Sequence, residues 1–205
     1  MKRYLMMACV CLAGLARGQN AAPPEVTASA VAAVQKLGKE VVQGHYQAPM
    51  DRMYPQWRDR IAKQSGGVDK LQAALEKMTK TMSQQGVSFI SFEPTGAPTS
   101  FEVWPGVKKE MINGQEVQTQ VFQKWMVLIP TQVVYRIVAP AKDGQAAQPY
   151  NITTQNFQIA VSDKGKNDWT FIDGSSVSIA DLRSVFLSLP ENLVLPEIKR
   201  SGAPK

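Results

Sequence analysis

The apolar period of this chain changes once, at Gly86, and that change limits the fold more than any other feature. Upstream, apolar residues recur at helical spacing; downstream they alternate. Val26, Ala30, Ala33, Leu37 and Val41 mark a first helix, which Gly44 ends. Pro49 opens a second helical segment with Met53, Trp57 and Ile61 on one face, and Gly66-Gly67 breaks it. A third helix turns Val68, Leu71, Leu75, Met78 and Met82 inward and Lys70, Lys77 and Lys80 outward.

Beyond Gly86 the spacing predicts strands over 87–92, 100–104, 107–112, 117–129, 132–138, 150–161 and 168–172. Asn113-Gly114, Asp143-Gly144 and the Asp163-Lys164-Gly165-Lys166 loop supply reversals. Pro130 implies an edge, a bulge or a bend. Residues 179–187 read as a last short helix. Helices first and an antiparallel meander second make an α+β domain, with the helices packed on one face of a strongly bent sheet that encloses a pocket. Phe157, Ile159 and Val161 share strand parity, as do Trp169 and Phe171, and Trp125, Val127 and Ile129.

The N-terminus reads as a leader. Lys2 and Arg3 precede a short apolar stretch from Tyr4 to Ala16, and Ala16-Arg17-Gly18 offers small residues to a signal peptidase. The stretch falls short of the roughly 20 residues that a permanent span needs. The organisation expected is a signal peptide over 1–18, a linker over 19–24, one domain over 25–198, and a basic disordered tail over 199–205. The expected location is periplasmic or secreted. A lipid anchor on Cys9 or Cys11 is the weaker alternative, because its apolar region would be only 4–8.

Both cysteines of the chain, Cys9 and Cys11, leave with this leader, and His45 is the one histidine. That excludes thiolate and His-rich metal sites, so no metal and no cofactor are expected. The formal charge of +6 also shrinks. Lys2, Arg3 and Arg17 belong to the leader, and Lys199, Arg200 and Lys205 to the tail, which leaves a neutral body. A neutral body gives no electrostatic basis for binding nucleic acid.

Two stretches carry a resemblance: Ser162-Asp163-Lys164-Gly165-Lys166-Asn167-Asp168-Trp169-Thr170-Phe171-Ile172-Asp173-Gly174, and Leu189-Pro190-Glu191-Asn192-Leu193-Val194-Leu195-Pro196-Glu197. With Gly44-His45-Tyr46 and Tyr54-Pro55, they resemble a group of exported bacterial proteins of unknown function. The element order resembles the NTF2-like superfamily. That likeness implies a cone with a pocket over residues 25–198, and it carries no catalytic residue.

The candidate chemistry is thin. Asp173, His45 and Tyr54 are the available acid–base groups, and Tyr54, Trp57, Trp125 and Phe157 are the aromatic set that would line the pocket. The expected function is a non-enzymatic binding or assembly module for a small apolar ligand or a protein partner, with a homodimer through the sheet face as its oligomer. Stable membrane insertion is not expected. The alternatives are an isomerase- or lyase-type enzyme with one acid/base in an apolar pocket, and a cell-envelope interaction protein.

Overall fold

The computed structural model describes residues 20–112, 115–139 and 148–202. The leader and the two turns at Asn113-Gly114 and Asp143-Gly144 lie outside the described residues. Helix α1 (Pro24–Val42) starts with proline at its first position and an acid, Glu25, in its first turn. Its buried stripe is Ala30, Val34, Leu37, Gly38 and Val41. The second helical segment divides into α2 (Ala48–Asp51) and α3 (Pro55–Ser65). Pro55 has no N–H to continue a helix but is suited to starting one, so the chain restarts there. Helix α4 (Val68–Gln84) packs on α3. It buries Leu71 but leaves Val68 and Met78 exposed, against the inward positions expected for them.

The sheet is antiparallel and has six strands: β1 (Ser88–Pro94), β2 (Thr99–Ile112), β3 (Gln115–Ala139), β4 (Gln148–Asp163), β5 (Thr170–Asp173) and β6 (Lys199–Ser201). It is open. Pairs that read as separate strands in the sequence are continuous: 100–104 with 107–112 form β2, and 117–129 with 132–138 form β3. Lys199–Ser201, expected to be disordered, pairs with Gln155–Thr153 of β4.

Strand β3 runs through the middle. One edge pairs with β4; the other pairs with β2 up to Leu128 and with β1 from Thr131. Pro130 falls at this handover. Its carbonyl accepts the Thr95 N–H at 2.7 Å, within the β1–β2 connection. A strand residue points its N–H and C=O to the same side, so the missing N–H also faces the handover and β4 loses nothing. The outer edge of β5 is covered by the α2–α3 connection. There Phe171 N–H donates to the Arg52 carbonyl and Tyr54 N–H to the Phe171 carbonyl, both at 2.8 Å.

The helices lie on both faces, which corrects the one-face expectation. Ala30, Val34 and Leu37 of α1 cover Trp125, Val127, Ile129, Ala160, Trp169 and Phe171. On the other face, Tyr54 just before α3, Trp57 of α3, Leu182 and Phe186, and Leu189 and Leu193 of the C-terminal segment cover Met126, Leu128, Phe157, Ile159 and Ile172. Phe186 follows α5 (Ile179–Val185). Strand alternation sorts the residues: Ile159 pairs with Leu128, whereas Ala160 pairs with Val127. Two apolar faces need two covers, and each fully buried Val, Leu or Phe contributes about 1.5 to 3 kcal/mol.

Candidate functional site

The aromatic set expected to line one pocket is divided by the sheet. Tyr54, Trp57 and Phe157 belong to the core under α3 and α5, and Trp125 to the core under α1. All four are buried, at 4, 5, 1 and 8 % exposure for Tyr54, Trp57, Phe157 and Trp125, so they act as core. Lys164 closes the end of the α1 face, with its ammonium 4.3 Å from the Trp125 ring centroid and paired to Glu102.

The acid–base candidates are also separated. Asp173 lies on the α1 face by alternation from Phe171. Its carboxylate accepts the Ser175 N–H at 2.7 Å and the Asn156 amide at 3.2 Å, which is the work of a turn aspartate. Tyr54 stacks on Phe186 on the opposite face, with ring centroids 5.4 Å apart. Its hydroxyl donates to Gln56 Oε1 at 3.0 Å. Burial, with a smaller contribution from the Asp163 charge, pushes the phenol up to about 12, so it stays protonated at neutral pH. His45 sits exposed after α1, where its backbone N–H caps the Glu40 carbonyl at 2.9 Å. These groups do not converge on one substrate.

A well-formed concavity lies elsewhere. A groove of about 830 Å³ runs between α3, β2 and the end of α5. Trp104, Pro105, Val185, Phe186 and Leu187 give it an apolar surface, and Asp59, Lys63 and Gln64 form its rim. Leu187 is 87 % exposed. One wall is fixed by Arg60, which reaches from α3 to Asp181 and Ser184 of α5, at 2.5 Å to each. Asp181 is held in turn by the capping box it forms with Ser178, and these contacts hold its carboxyl below the usual aspartate range. Lys63, by contrast, has no ion-pair partner among the described residues.

Trp104 enters the groove from a left-handed backbone, with φ of 66° inside a β-strand. Such a conformation costs a non-glycine residue on the order of 1 to 3 kcal/mol and often marks a functional position. Val103 and Pro105 on either side keep their pairing with Lys124 and Phe122, so the distortion is confined to this residue. Sequence reasoning missed the groove. Its one local signal was Pro105 inside an otherwise regular strand, which separated two apparent strands at the residue that matters.

Among the described residues, no group of three or more His, Cys, Asp or Glu side chains could hold a metal, and no helix is long and apolar enough to cross a membrane. No protein-family model matches this sequence, and no curated protein or solved structure matches it either.

Proposed function

We propose that this chain is an exported binding module and that the groove between α3, β2 and α5 is where it binds. The observation that carries this reading is the left-handed Trp104 lining one groove with the exposed Leu187 and with Lys63, which has no ion-pair partner among the described residues. An apolar surface flanked by the Lys63 ammonium suits an amphipathic ligand, with an apolar body against Trp104 and Leu187 and an acidic group near Lys63. Binding rather than turnover fits the dispersal of Asp173, Tyr54 and His45. The order of helices followed by an antiparallel sheet supports kinship with the NTF2-like superfamily, in a form whose sheet stays open. Export rests on the leader, and removal of residues 1–18 is checked by the intact mass of the chain recovered from cells.

Trp104 makes the binding reading testable. Trp57, Trp125 and Trp169 are buried, so a ligand in the groove would shift the emission of Trp104. A series of medium-chain carboxylates should produce that shift, and Trp104→Phe should abolish it. Lys63→Ala should weaken the carboxylates but leave the matching alcohols unaffected. Absence of any shift or thermal stabilisation across both series would refute the groove as a site for amphipathic ligands.

A further inference from the structure

Past Trp104, β2 and β3 leave the sheet together. Strand β4 pairs with β3 only from Lys124 onward, and β2 pairs with β3 alone. Residues 105–112 and 115–122 therefore form a two-stranded ribbon whose outer edges have no strand partner among the described residues. At about 3.3 Å per residue it extends roughly 25 Å from the body. A lone hairpin is marginal in water. This one also exposes apolar side chains, with Val107 at 64 % and Met111 at 70 %.

We propose that the β2 edge of this ribbon pairs with the same edge of a second copy of the chain, antiparallel about a two-fold axis through Lys109. That register sets Val107 opposite Met111 of the other copy, and Lys108 opposite Glu110, each contact occurring twice. An axis perpendicular to the sheet keeps Val107, Lys109 and Met111 on one face and Lys108 and Glu110 on the other. The two central lysines are the one like-charge contact, and each already pairs with Glu116 of its own hairpin at 2.9 Å. Lys108 and Glu110 now pair along their own strand at 2.5 Å. In the dimer the four charges alternate in a square. Shifting the axis by one residue to Lys108 loses the apolar contact, since it sets Val107 against Lys109 and Gly106 against Glu110 with two lysines at the centre; shifting it to Glu110 places two acids together and Met111 against Lys109. Edge lysines ordinarily keep strands from pairing. In the Lys109 register Lys108 instead meets an acid.

This assembly is independent of the groove and fails or stands separately from ligand binding. Sedimentation velocity of the processed full chain over a range of concentrations tests it. The native chain should reversibly reach the dimer mass. Lys108→Glu and Glu110→Lys each place like charges opposite one another at two symmetric positions. Either should raise the dimer dissociation constant at least about tenfold, while circular dichroism confirms that the body stays folded. The double change K108E/E110K restores unlike pairs and should restore the dimer. A native chain that stays monomeric at every concentration overturns the proposal. A dimer that ignores both single changes, or a double variant that stays monomeric, overturns it equally.

Discussion

The Trp169 indole N–H donates to Ser29 Oγ at 3.0 Å, joining the residue just before β5 to α1 across 140 residues of sequence. Trp169 is 7 % exposed and packs with Trp125, Ala160 and Phe171 beneath α1. Replacing Trp169 by Ala should cost about 3 to 5 kcal/mol, as large aromatic truncations in cores do. Ser29→Ala removes only the acceptor and should cost about 1 kcal/mol. Denaturant unfolding of both variants measures the difference. A Trp169→Ala protein as stable as the parent would place this strand outside the cooperative core.

Helix α1 also touches β1 so closely that position 38 has no room for a side chain. A Cβ on Gly38 would overlap the Phe92 carbonyl, which is backbone and cannot swing away. Helix propensity alone favours Ala over Gly by about 1 kcal/mol. The overlap forces a backbone shift that costs about 1 to 3 kcal/mol, so Gly38→Ala should be net destabilising. A raised melting temperature for this variant would show that α1 can lift from β1 without loss.

Much of this architecture was legible because it depends on local spacing. The change of period at Gly86, the stripe ending in Leu37 and Val41, and the turn at Asp163–Lys166 follow from residues a few positions apart. What was illegible depends on distant partners. Strand parity correctly grouped Trp125 with Val127 and Phe157 with Ile159, but it cannot say that the two groups face opposite ways. That follows from register, with Ala160 beside Val127 and Ile159 beside Leu128. The candidate pocket failed for this reason, since its aromatics were assigned to one cavity on residue type alone. The groove escaped because Arg60 meets Asp181 across 121 residues and because nothing near Trp104 except Pro105 announces a left-handed backbone. Pro130 shows the opposite case. The sequence signalled an irregularity, and the partner exchange along β3 explains it.

Acid should weaken the fold through its paired carboxylates. Hydrogen bonds from Lys124 and Lys166 hold Asp163 below its ordinary 3.8, and those from Ser178 and Arg60 do the same for Asp181. As pH falls, the unfolded chain takes up these protons first. The stabilisation is therefore complete above the ordinary value and is lost as pH drops through the lowered folded values. Melting temperature should hold steady from neutrality and decline below about pH 4. Asp163→Asn should make that decline shallower, and a variant with an unchanged acid limb would remove Asp163 from the account.

Alkali should act through Tyr54, in the opposite sense. Burial foremost, and the Asp163 charge second, raise its phenol from 10.0 to about 12. The unfolded chain then releases this proton at a lower pH than the folded one, so ionisation favours unfolding. Stability from this group is intact below pH 10 and falls by up to about 1.4 kcal/mol per pH unit as pH rises toward 12. Tyr54→Phe keeps the ring on Phe186 and loses only the hydrogen bond to Gln56. That variant should be about 1 kcal/mol less stable at neutral pH and less sensitive to alkali. Parallel melts of the two proteins between pH 8 and 11.5 decide the point. Parallel curves would mean that the Tyr54 hydroxyl reaches water as freely in the folded chain as in the unfolded one.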